Sequence, residues 1–256
     1  MSLVRIAVDA DNLLGRQFTE LERQNLGFAV MQACNATAFE IRQSWARAAP
    51  RVFDRPTPLT TKAAQYKKAT RQKLYAEIFL RDEASGGNPP AKYLAPQVEG
   101  GQRRKKGFEV LLQQKGAMPA GMFAVAGKGA PLDRFGNVKI GQVNKILSQL
   151  GAQSDRYQNQ TDVSAARRRK RRRGSGGEYF TLLKKHGRLL PGIYERYKFG
   201  AGTIVRSVFI FTRQANYKPR YNIFALAQRD WDRLMPFYFN RELQKALESS
   251  KNRGRS

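Results

Sequence analysis

The chain has 256 residues, 47 of them Lys or Arg and 20 Asp or Glu, for a net charge of +27. A hydrophobic fraction of 41% with 11% aromatics suffices for a packed core and excludes global disorder. No run of about 18 apolar residues exists, which excludes a transmembrane helix, and the single cysteine, Cys34, excludes an intrachain disulfide and fits a reducing compartment.

Val4 to Val8 is expected as a short strand, followed by a turn at Asp9, Asp11 and Asn12. Met1 to Ala10 holds Arg5 and Asp9 and no long apolar run, so it is not expected to act as a signal peptide. Thr19 opens a helix, with Glu20 and Glu22 in the first turn, where the helix dipole favours acids. Leu26, Val30, Ala33, Thr37 and Ile41 recur at helical spacing, and Ala38, Trp45 and Ala48 continue the stripe. A helix is predicted over Thr19–Ala48, about 45 Å long, ending at Pro50, whose ring cannot continue it. Pro56 to Thr61 reads as an extended connector. A basic stretch with Lys62, Lys67, Lys68, Arg71 and Lys73 then runs into Leu74, Ala76, Ile78 and Leu80, which alternate with Tyr75, Glu77, Phe79 and Arg81 as in a strand. Asp82 to Pro90 is a Gly- and Pro-rich turn region.

Ala91 to Ala152 reads as an inserted, mostly helical segment. Arg103, Arg104, Lys105 and Lys106 form a basic cluster, Phe108, Leu111 and Leu112 sit at helical spacing, and Gly116 stops that helix. A second helix is predicted from Gly141 to Leu150, with Val143, Ile146 and Leu147 on one face. Seven consecutive cations follow: Arg167, Arg168, Arg169, Lys170, Arg171, Arg172 and Arg173. Burying even one unpaired charge is strongly unfavourable, so this run is expected as a flexible, solvated loop. Without it the net charge is still +20, so the basicity is spread along the chain.

Tyr179 to Leu183 and Ile193 to Tyr197 are predicted strands. The second pairs as a hairpin, across Phe199 to Gly202, with Ile204 to Phe211. Apolar residues on both faces of Ile204–Phe211 suggest a central strand covered on both sides. A helix from about Phe224 to Glu248 closes the chain, with a kink or restart expected at Pro236. The order implies an α+β fold, a small, mostly antiparallel sheet packed by long N-terminal and C-terminal helices, with a helical and loop insertion. Residues 1–90 and 178–250 form the core domain, 91–152 the insertion, 153–177 the basic flexible loop and 251–256 a basic tail.

The chain offers little catalytic chemistry. His186, the single histidine, sits between Lys185 and Gly187 and reads as a surface residue, and Cys34 reads as a buried structural thiol. One Cys and one His exclude a zinc site within a single chain. Asp9 and Asp11 read as a turn rather than a magnesium site. Gly127, Lys128 and Gly129 lack the spacing of a phosphate-binding loop. No catalytic residue, cofactor or metal is expected. The basic segments have three readings: nonspecific DNA phosphate binding, docking on an acidic protein, or a solvated or localisation-like string. Tyr194, Tyr197, Phe199, Tyr217 and Tyr221 could form a stacking platform for single strands, but read better as strand residues on alternate faces.

The layout resembles the minor tail protein Z and tail-completion proteins of tailed bacteriophages. The likeness rests on the long N-terminal amphipathic helix, the arginine-rich insertion, the hairpin entry Leu190-Pro191-Gly192-Ile193-Tyr194, the Tyr217-Lys218-Pro219 connector and the closing helix. Phe135, Gly136, Asn137, Val138, Gly141, Gln142, Ile146 and Leu147 are similar to segments of prophage structural proteins. The chain departs from the pattern by its long insertion over 91–152. The resemblance implies a non-enzymatic virion component at the head–tail (neck) junction or proximal tail, a homo-oligomeric ring around the DNA channel. Its partners would be other phage tail, neck or portal proteins and, nonspecifically, genomic DNA, with no membrane; by their charge, Arg167–Arg173 and Arg103–Lys106 are expected to bind DNA or an acidic partner. The alternatives are a sequence-nonspecific nucleic-acid-binding protein and a nuclease whose carboxylates converge only in space.

Overall fold

The computed structural model describes residues 3–7, 19–84, 87–170, 177–199 and 202–253. Asp9, Asp11, Asn12 and Arg171 to Arg173 lie outside the described residues, as do Gly200 and Ala201 of the expected hairpin turn and 254–256 of the tail. The chain forms two compact units, one of Met1–Gly101 with Tyr217–Ser256, the other of Gln102–Asn216. This division differs from the expected core and insertion. The insertion does not end near residue 152 but takes in the whole hairpin region through 216. The first unit keeps the chain up to Gly101.

In chain order the first unit holds β1 (Leu3–Ala7), α1 (Glu20–Val52), α2 (Pro58–Thr61), β2 (Ala64–Lys67), β3 (Tyr75–Leu80) and α3 (Pro90–Val98). The second holds α4 (Gly107–Gln114), β5 (Phe123–Ala126), α5 (Ile140–Gln149), α6 (Asp162–Lys170), β6 (Glu178–Leu182), β7 (Gly192–Phe199) and β8 (Gly202–Thr212). Short strands β4 (Gly101–Gln102) and β9 (Asn216–Tyr217) lie where the chain leaves and returns, and α7 (Ile223–Arg253) completes the first unit. The α+β expectation holds: long terminal helices and small antiparallel sheets.

The first unit is built on α1. Its stripe of Val30, Ala33, Cys34, Thr37, Ala38, Ile41, Trp45 and Ala49 is buried, and its small members let α7 pack along it with Met235, Phe239 and Leu243. Thr37 Oγ1 donates to Met235 Sδ, and the Tyr221 hydroxyl donates to the Trp45 carbonyl at 2.7 Å. Burial pushes the Tyr221 hydroxyl pKa well above its ordinary value. The antiparallel sheet β1-β3-β2 lies against α1, with Ala76, Ile78 and Leu80 of β3 buried, the face the alternation picked out.

Three local expectations are corrected. Pro50 does not end α1, which runs on to Val52. Pro50 is exposed, while Ala49 on the opposite face is buried and the Phe53 N–H donates to the Ala49 carbonyl at 3.0 Å, so packing carries the last turn through. The connector after Pro56 contains a helical turn, α2, because Pro58 occupies its first position and Thr57 accepts from the Thr60 N–H. Pro236 causes no restart: α7 continues across it, held by buried Met235 and Phe239.

In the second unit the sheet order is β5-β8-β7-β6, all antiparallel. One face, with Ala124, Tyr179, Ile193, Phe209 and Phe211, buries against Leu112 of α4 and Ile146 and Leu147 of α5. β8 is central but not covered along its length. Its first four residues are exposed, since β5 pairs only with Phe209 to Thr212 and β6 only with β7 as far as Arg196. The Gly127-Lys128-Gly129 string runs against β8. A Cβ on Gly127 would meet the Ser207 carbonyl oxygen at 2.6 Å, so its glycine serves close backbone approach and not phosphate binding.

Candidate polyanion-binding surface

The charge is unevenly divided between the units. Residues 102–216 hold 24 Lys and Arg against 6 Asp and Glu, a net +18 of the chain's +27. The placement of those six acids decides what the surplus cations can do.

Three of the acids are each tied to one arginine. Glu109, on α4, is fully buried. It accepts from Arg103 Nη1 at 2.9 Å, from Arg103 Nη2, from the Lys106 N–H and from the Ala124 N–H, the last two at 2.7 Å. Burial alone would push this carboxyl up; the hydrogen bonds from Arg103 and the two backbone amides outweigh it and hold the carboxyl below its ordinary value. Glu195, on β7 and also buried, accepts from the Gly177 N–H at 3.0 Å and from Arg206 Nε at 2.6 Å. Glu178 accepts from Arg196 at 2.8 Å across the β6–β7 pair. Two more acids build turns: Asp133 accepts from the Phe135 and Asn137 amides, and Asp155 from the Tyr157 amide. The sixth, Asp162, lies in the first turn of α6, at the positive end of the helix. Glu109 and Glu195 are thus buried in internal pairs, Glu178 pairs with Arg196 at the surface, Asp133 and Asp155 close turns and Asp162 is exposed, while among the described residues Arg104, Lys128, Lys184, Lys185 and Arg188 are exposed with no carboxylate partner.

The sequence-predicted site residues divide accordingly. Arg103 is turned inward by Glu109 and stacks over Phe123 at 4.9 Å, so it organises the cluster instead of offering charge. Lys105 Nζ donates to Gln113 Oε1 at 2.6 Å, and the Lys106 amide joins the Glu109 cap. Arg104 and Lys106 are exposed. The expected arginine loop is a helix over its first four cations, Arg167, Arg168, Arg169 and Lys170, which close α6. Thr161 starts that helix: its hydroxyl accepts from the Ser164 N–H at 3.3 Å and its carbonyl from the Ala165 N–H at 2.9 Å. The cations then sit at the helix C-terminus, where the dipole favours them. Arginine is also a good helix former, which the solvation argument overlooked.

Sequence reasoning passed over Lys184, Lys185 and Arg188, on the β6–β7 connection. The signal was the absence of any acid between Glu178 and Glu195. The aromatics form no single platform: Tyr194 is buried with its hydroxyl donating to the Leu190 carbonyl at 2.7 Å, and Tyr221 belongs to the core of the first unit. His186 is exposed. Cys34 is buried, and burial pushes its thiol up to about 11. Among the described residues no helix is long and apolar enough to cross a membrane, and no three His, Cys, Asp or Glu side chains form a metal-holding group. No family model, curated protein or solved structure matches the chain.

Proposed function

We propose that this chain is a non-enzymatic structural protein of a tailed-phage virion. It acts in tail completion or at the head–tail junction as a subunit of a homo-oligomeric ring around the DNA path, beside other tail, neck or portal proteins. It is made in the host cytoplasm and ends in the particle. The observation that carries this reading is the net +18 of residues 102–216, with two of their six acids buried in internal ion pairs. Such a surface repels itself and is relieved by a polyanion or an acidic partner, and a ring multiplies its field by the copy number. The first unit suits contacts between subunits. Phe28 and Phe39 on α1 are 42% and 41% exposed and lie about three turns apart on one helix face.

DNA titrated against salt with the full chain tests the reading. A steep fall of log affinity with log salt is expected, each phosphate contact adding about 0.9 to the slope. Replacing Arg167 to Arg173 with Ser and Gly should flatten it while sizing in high salt still gives a ring. A chain that stays monomeric in every salt and ignores DNA would sink the proposal. The same net +18 also favours a second reading, a sequence-nonspecific nucleic-acid-binding protein. It predicts the same salt slope without a ring in the absence of nucleic acid.

A further inference from the structure

The β6–β7 connection carries cations that the proposed reading has not used. The His186 N–H donates to the Leu189 carbonyl at 3.0 Å, and the Leu189 N–H returns a bond to His186 at 2.9 Å. Gly187 and Arg188 are thus the two-residue tip of a tight turn closed by one antiparallel bridge, with bends at Leu183 and Lys184 leading into it. Gly187 adopts φ +55°, which favours glycine at the first position of such a loop. The turn is fixed by its own backbone. Lys184, Lys185 and Arg188 project from it, exposed and with no carboxylate partner. Leu183 and Leu190 flank them at 46% and 50% exposure and belong to neither hydrophobic core. An acid-free turn that exposes two leucines among three cations fits a surface that is anionic at its rims and less polar between them.

We infer that this turn enters a groove of double-stranded nucleic acid, with Lys184, Lys185 and Arg188 on the phosphates and Leu183 and Leu190 against sugar and base edges. This rests on the reading that residues 102–216 meet nucleic acid. A major groove about 12 Å wide admits two antiparallel strands, and the two limbs of this turn, bridged at His186 and Leu189, are no wider. The two lysines lie on the incoming limb and Arg188 at the tip, so the exposed cations are spread along the turn. Apolar contacts between the phosphate rows are what leucines make in a groove.

The test measures binding of the full chain to a mixed-sequence duplex, to its single strand and to inorganic polyphosphate, each over a salt series. The triple variant Lys184→Ser, Lys185→Ser, Arg188→Ser should bind the duplex with a slope shallower by about 2 to 3. The double variant Leu183→Ser, Leu190→Ser should keep the slope and lose about tenfold in duplex affinity, the worth of two partly buried leucines. Its affinity for polyphosphate should not change. All five side chains are exposed, so the leucine variant should keep the wild-type melting temperature, and the triple variant, with three repelling charges removed, should melt no lower. If the wild-type chain binds duplex and the triple variant keeps its slope, the finger is wrong while the proposed function stands. Parallel losses on duplex and polyphosphate in the leucine variant would overturn the groove placement. A wild-type chain with no duplex affinity removes both.

Discussion

Glu109 is the side chain on which the architecture of residues 102–126 turns. It gathers Arg103, the start of α4 and the first residues of β5 around one carboxylate with no solvent exposure. Glu109→Gln removes the charge and leaves Arg103 without its partner, which should destabilise this unit by about 3 to 5 kcal/mol, read as lost hydrogen-exchange protection in α4 and β5. The pH dependence has a definite sign. The folded carboxyl lies below its ordinary value, so its contribution is present above the unfolded value near 4.5 and is lost as pH falls through the folded one. The gap in protection between wild type and Glu109→Gln should therefore be constant from pH 7 to about 5 and close below about 4. A gap that widens on acidification would refute the assignment. Cys34, with its thiol raised to about 11 and buried, should resist alkylation in the native state at pH 8 and react only in denaturant.

At the scale of elements, the α1–α7 pair is the spine of the first unit. Phe239 is fully buried between them and the sheet-facing core. Phe239→Ala should cost about 3 to 5 kcal/mol, measured by the urea midpoint of the Trp45 and Trp231 fluorescence change. The outward faces of the same helices make a separate prediction. In the proposed ring, Phe28→Ser should shift the chain toward smaller species on sizing and leave that midpoint unchanged, whereas Phe39→Ser should also lower it, because Phe39 packs edge-on against Tyr66. Periodicity identified both helices and the buried face of β3 from sequence, because burial on one side imposes a spacing of 3.6 or 2 residues. It misjudged Pro50, and at Pro236 the helix does not restart, since tertiary packing outweighs the loss of one backbone hydrogen bond. It also misjudged α6, whose helix depends on the Thr161 cap and the dipole, not on an apolar stripe.

At the scale of the whole molecule, charge is the dominant physical fact. Self-repulsion within residues 102–216 should make this chain more stable in higher salt, with a melting temperature that rises from low to moderate ionic strength and rises further with bound DNA. A melting temperature indifferent to salt would mean that the cations are neutralised within the chain. Much of the candidate surface was readable in advance, since runs such as Arg167 to Arg173 announce themselves in any sequence. Arg103 was misread and Lys184, Lys185 and Arg188 were missed. Their roles depend on where Glu109, Glu178 and Glu195 sit, and pairs such as Glu195 with Arg206 form across strands.

The sequence by itself determined the two long helices, the main strands, the excess of cations and the α+β class, because local spacing, helix signals and formal charge are properties of neighbours along the chain. Only the tertiary structure decided that the hairpin β7–β8 packs with α4 and α5 in its own unit, which arginines Glu109, Glu178 and Glu195 pair with, and that His186 and Leu189 close the turn at Gly187. Those outcomes rest on contacts between residues far apart in sequence, whose energies no local pattern encodes.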